Sequence, residues 1–175
     1  MDLRTALFEL IDMRSFSNLW FWIALAVMWS SASHWVLGVP YDLVVRARRK
    51  GGEAVQDMED LVRINVNRLL YIGKVSGLWL AGLTCFLLTA LGLLGFVYWI
   101  EFAQALFLLA FPMTLVGLLS LNTARLLHDC QGDPEAVYKR LFQHRLVVQF
   151  IGMVSIFITA MWGMYMNLSI GAIGS

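Results

Sequence analysis

The chain has 175 residues, of which 59% are hydrophobic and 14% charged, with a formal net charge of +1. Ordinary soluble domains run about 45–50% apolar and about 25% charged, so too little polar side chain is present to clothe a water-soluble domain of this size. Near-neutrality removes any general electrostatic case for nucleic acid, and two cysteines, Cys85 and Cys130, exclude an intrachain disulfide framework or a four-thiolate cluster.

Residues 1–14 place Leu3, Leu7, Leu10 and Ile11 at helical spacing opposite Asp2, Thr5, Glu9 and Asp12. That pattern predicts a short amphipathic helix lying on a membrane surface, either as an anchor or as a docking element. Ser15 or Ser17, with Asn18, supplies a helix cap. The first uncharged stretch, 15–41, predicts a membrane span over about residues 17–39. Its acidic leader, tryptophan content and basic follow-on favour a retained span over a cleaved signal peptide.

Arg46, Arg48, Arg49 and Lys50 follow, and Gly51-Gly52 closes this basic run. Such a cluster beside a span fixes topology and attracts anionic lipid. Without aromatic interleaving it does not read as a nucleic-acid site. The segment 42–74 then carries Met58, Leu61, Val62, Val66, Leu69 and Leu70 on one helical face, predicting an amphipathic cytoplasmic helix that runs toward the second span and bends at Gly73.

Two further uncharged stretches, divided only by Glu101, predict spans over about 75–97 and 102–124 joined by a tight hairpin. Gly92 and Gly95 loosen the end of the first of these, Glu101 belongs at the outer interface, and Pro112 predicts a local kink in the second. The connection 125–145 contains Asp133-Pro134-Glu135, a helix start in which Asp caps and Pro occupies the first turn. That helix is expected to enter the last span, about 146–168, without a break. The fold class expected is therefore all-α: a polytopic four-helix membrane bundle with an N-terminal interfacial helix and helical cytoplasmic connections.

Eleven of the 13 Lys/Arg residues fall in 42–74 and 125–145, leaving Arg4 and Arg14 on the other side. Basic residues stay in the cytoplasm, so both termini are expected outside a bacterial inner membrane, in the periplasm. Aromatics mark both interfaces: Trp20, Trp22, Trp99, Trp162 and Tyr165 at the outer one, and Trp35, Tyr41, Tyr71 and Trp79 at the inner one.

Few residues invite chemistry. His34, paired with His144 or His128, is the candidate set for a b-type haem, but axial ligands must sit at similar depth on facing helices, and helix rise sets His34 about two turns deeper than His144. A polar residue satisfied by Ser30 or Ser31 is the competing reading. His128, Asp129, Cys130 and His144 have the residue types of a metal site without a metal-binding spacing. No catalytic carboxylate pair, nucleophile triad, phosphate loop or dinucleotide fingerprint occurs, and the spans lack the buried charges that transporters use. No enzyme activity, cofactor or metal is expected.

Small residues supply the remaining pattern. Gly77, Ala81, Cys85, Thr89 and Gly92 line one face of the second span, and Gly152, Ser155, Thr159, Gly163 and Asn167 one face of the fourth. Such faces allow close helix approach, either within this chain or against a protein partner.

Residues 7–20, LFELIDMRSFSNLW, and 33–42, SHWVLGVPYD, resemble a family of alphaproteobacterial inner-membrane proteins described as a component of the SufBCD complex. The likeness is clearest over the first fifty residues, and the layout of spans agrees. It implies a role beside iron–sulfur cluster assembly. One cytoplasmic cysteine does not hold a cluster, which takes four protein ligands, so the implied role is docking. The function expected is that of a non-enzymatic accessory or scaffold protein, with a membrane redox carrier and a small transporter as alternatives.

Overall fold

The computed structural model describes residues 15–130 and 132–173, so the expected N-terminal amphipathic helix lies outside the described residues. Among the described residues are five α-helices: α1 Leu19–His34, α2 Tyr41–Lys50, α3 Glu53–Gly92, α4 Glu101–Asp129 and α5 Pro134–Ile173. Three helical segments, Glu53–Val97, Glu101–Asp129 and Pro134–Ser169, are long and apolar enough to cross a membrane.

The starts of the helices follow from local chemistry. Asn18 Oδ1 accepts from Trp20 N at 3.0 Å, capping α1. Asp133 Oδ1 accepts from Glu135 N and Ala136 N at 3.1 and 3.3 Å, and Pro134 opens α5 where no N–H is needed. α5 then continues without interruption from this polar start into its apolar half. α3 likewise runs unbroken through Gly73, at which a Cβ would meet Leu121 Cδ2 at 3.2 Å. Forty residues of α3 extend about 60 Å, twice the thickness of a hydrocarbon core, so half of the helix projects beyond any span.

α1 ends sooner than the expected 17–39. Trp35–Val36 and Val39–Pro40 form a small antiparallel hairpin, with Trp35 opposite Pro40 and Val36 opposite Val39. Its two turn residues, Leu37 and Gly38, have φ of 53° and 77°, the pair of positive values that a two-residue type I′ connection requires. Asn65 of α3 sits beneath this turn and donates to Gly38 O at 3.4 Å. The hairpin folds the chain back so that α2 packs on α3.

The hinge between α3 and α4 is a π-helical turn, Leu93–Val97. Gly95 lies so close to α4 that a Cβ would come within 2.9 Å of Gln104 N, which makes the absence of a side chain a condition of the hairpin. Pro112 sits inside α4, which continues past it.

The buried core divides along the long axis. The largest cluster gathers Val36, Val39, Val44, Ala47, Met58, Val62, Val66, Ala124, Leu127, Val137, Tyr138 and Leu141. It is built by the hairpin, α2, the polar half of α3, the end of α4 and the start of α5. A second cluster joins Leu25 and Trp29 of α1 to Val116 of α4 and Val148 of α5, and a third holds Phe16, Ala105 and Met166 at the far end. α1 runs antiparallel to α5: Phe16 lies on Gly163 and Trp29 on Gly152. The largest core thus sits where the helices carry polar residues on their other faces. Between the apolar halves the buried clusters are smaller, and Gly152 and Gly163 let α1 come close to α5.

Candidate functional site

At the end of the bundle carrying the hairpin, α4 and α5 place two polar side chains against one another. Thr123 Oγ1 and His144 Nδ1 are 3.0 Å apart, and both side chains are buried. Burial lowers the His144 pKa from 6.5 to about 4, so the ring is neutral near pH 7. His144 also lines a cleft of about 400 Å³ with Trp35, Asn65, Arg68, Met113 and Ser120.

His34 lies elsewhere. It ends α1, is more than half exposed, and has its Nε2 3.9 Å from Asp42 Oδ1. It lines a different cleft, with Arg145 and the basic face of α2. His128 is also exposed, with Nδ1 3.8 Å from Asp129 Oδ1. The three histidines therefore do not converge. His144 turns inward, while His34 and His128 face outward at the ends of their helices.

The set His128, Asp129, Cys130 and His144 is not assembled either. Among the described residues, no three His, Cys, Asp or Glu side chains gather as metal ligands. The reason is helical geometry: consecutive side chains at the end of α4 diverge by about 100°, and His144 is held by Thr123.

The basic run divides between two faces of α2. Arg46, Arg49 and Lys50 project together from i, i+3 and i+4 positions beside Arg145. Arg48 faces the opposite side, near Asp133, Glu135, Tyr138 and Lys139. There burial, and next the charges of Glu135 and Glu59, raise the Tyr138 pKa, with Arg48 opposing.

The other end of the bundle holds a second polar assembly. Glu101 Oε1 accepts from Phe16 N at 2.7 Å, and Ser17 Oγ donates to Asn167 Oδ1 at 2.7 Å. Gln104, fully buried, donates through Nε2 to Gly95 O at 2.8 Å and accepts at Oε1 from Trp162 Nε1 at 3.0 Å. Trp22 Nε1 donates to Phe16 O at 3.1 Å. These bonds tie the start of α1, the α3–α4 hinge and the apolar end of α5 together. Glu101, expected at the outer interface, is part of this assembly; Gln104 is a further member whose only signal in the sequence is an amide inside an otherwise apolar run.

The small-residue faces divide. On α5, a Cβ at Gly152 would lie 2.8 Å from Trp29 Cε3, and one at Gly163 would lie 3.3 Å from Phe16 and Trp22. Ser155 and Thr159 are buried along the same helix. On α3, Gly92 approaches Phe107 at 3.6 Å, but a Cβ at Gly77 meets nothing within 4 Å. Ala81 and Cys85 are exposed.

These features define the class of molecule: a helical protein with, among the described residues, three helices long and apolar enough to cross a bilayer and its largest buried core at one end. Comparison with models of protein families, with curated proteins and with solved structures gives no match.

Proposed function

We propose that the protein is a non-enzymatic accessory or scaffold subunit of a bacterial inner membrane, holding a partner through the apolar half of α3 and its cytoplasmic helices. The observation that carries this reading is the contrast between the two halves of α3. Its polar half contributes Met58, Val62 and Val66 to the main core. In the most apolar 18-residue stretch of Glu53–Val97, α3 with the π turn that follows, only 6% is buried, against 22% for that of Glu101–Asp129 and 28% for that of Pro134–Ser169. Among the described residues, the face carrying Gly77, Ala81 and Cys85 is left without a partner, although small residues there permit close approach of another helix.

In this reading α1 is the fourth span. Its 16 residues rise about 24 Å, and the Ser15–Ser17 turn and the hairpin extend it toward both interfaces. Packing alongside α5 from Gly163 to Gly152 supports the same depth. The basic connections lie in the cytoplasm and both termini in the periplasm, by the distribution of Lys and Arg. The likeness over residues 7–20 and 33–42 extends the proposal to docking beside iron–sulfur cluster assembly.

Affinity purification from native membranes in mild detergent tests this. A stoichiometric membrane or cytoplasmic partner is the expected result. Recovery of the chain alone would overturn the scaffold reading, as would a reduced b-haem absorption band in the purified protein.

A further inference from the structure

α2 is short and strongly two-sided. Val44 and Ala47 are buried in the main core, while Arg46, Arg49 and Lys50 are exposed on the opposite face. From α5, Arg145 reaches the same place, its Cζ 3.8 Å from the centre of the Tyr41 ring. Together these residues line an open cleft of about 500 Å³ that also contains Asp42. Four permanent cations thus face one carboxylate, and that carboxylate already has His34 beside it. Among the described residues, none of the four has a carboxylate within ion-pair distance. Arg145 Nε is buried without a hydrogen-bond acceptor, which is costly unless a ligand supplies one.

We propose that this cleft binds the phosphate of an anionic phospholipid headgroup, with Arg145 as its fixed base and Arg46, Arg49 and Lys50 as its mobile rim. Guanidinium groups match phosphate oxygens in a planar, two-pronged geometry, and stacking on Tyr41 holds one of them in place. A lipid rather than a free phosphate is favoured by level. Arg145 immediately precedes the uncharged run that begins at Leu146, and His34 closes the apolar helix α1. A ligand lying between them has its phosphate at headgroup depth and its acyl chains beside α1 and α5. Basic clefts between helices on the cytoplasmic side suit such headgroups. The inference rests on the membrane-embedded reading above and gives the basic run a second role: Arg46, Arg49 and Lys50 bind, whereas Arg48, pointing away, does not.

The test is native mass spectrometry of the detergent-purified full chain titrated with phosphatidylglycerol, phosphatidylcholine or inorganic phosphate. Phosphatidylglycerol is expected to bind roughly 30-fold more tightly than phosphatidylcholine, as two basic contacts of about 1 kcal/mol each supply. Arg145→Gln and Arg49→Gln each weaken it roughly fivefold, and charge-matched Arg48→Gln changes it less than twofold. Arg49 is exposed, so its variant reports on binding even if Arg145→Gln disturbs folding. Equal binding of the two lipids, equal effects of Arg48→Gln and Arg49→Gln, or displacement of the lipid by millimolar phosphate would each overturn the proposal. Failure of the membrane reading itself looks different: the chain would be recovered without detergent.

Discussion

His144 is the residue whose state is most tightly set by its surroundings. Its ring is buried against Thr123, with a folded pKa lowered from 6.5 to about 4 by loss of solvent. Because the folded value lies below the unfolded one, the unfolded chain takes up the proton first on acidification. The contribution of the neutral ring to stability is complete above about pH 6.5 and drains away as the pH falls toward about 4. Melting temperature in detergent is therefore expected to drop across that window. His144→Gln, which retains a hydrogen-bonding partner for Thr123 and does not titrate, flattens this part of the profile. Parallel profiles for the two proteins would show that another group controls the acid limb. His144 was visible in the sequence as a histidine near the inner face, but not its partner: Thr123 is 21 residues away, and only the packing of α4 on α5 brings it to 3.0 Å.

At the scale of elements, the two small-residue faces have opposite fates, and substitution separates them. Gly152→Leu forces a side chain into the Trp29 ring, so α1 must shift from α5. The expected cost is about 1–3 kcal/mol, as for other overpacked sites, read as a lowered unfolding midpoint. Gly77→Leu meets open space, and its effect on the chain's own stability is expected within about 0.5 kcal/mol. In the scaffold reading, the same change lowers recovery of the partner. A large loss of stability from Gly77→Leu, or none from Gly152→Leu, would contradict the packing described.

The helices that the sequence discloses best are those whose signals are local. The Asp133-Pro134-Glu135 start, the unbroken passage from polar helix to apolar helix in α5, and the buried face Met58-Val62-Val66 all follow from neighbours within a few turns. The hairpin at 35–40 was not legible. Leu37-Gly38 lacks the Asn-Gly or Asp-Gly signature of its turn, and the support from Asn65 comes from a distant helix. Nor could periodicity say which small-residue face is covered, since Gly77 and Gly152 look alike in sequence and differ only in whether α1 lies against them.

For the whole molecule, two kinds of packing are joined. The large core of α2, the polar half of α3 and the start of α5 is fastened to apolar helices whose buried clusters are smaller. Nearly all Lys and Arg residues belong to the segments that build the large core, which in the proposed orientation is the cytoplasmic end. Composition alone conveyed that helices apolar enough to cross a membrane are present. The division of the basic run between two faces required three dimensions, because Arg48 and Arg49 are adjacent in the chain and face different clefts.

The most direct measurement is a paired reporter experiment in a bacterial host. A phosphatase, active only outside the cytoplasm, and a fluorescent protein that matures only inside it are each placed after Ser175 and within the open Gly51-Gly52 turn. The account predicts phosphatase activity from the Ser175 fusion and fluorescence from the Gly51-Gly52 insertion. The reverse pattern, or fluorescence from both sites, would contradict it.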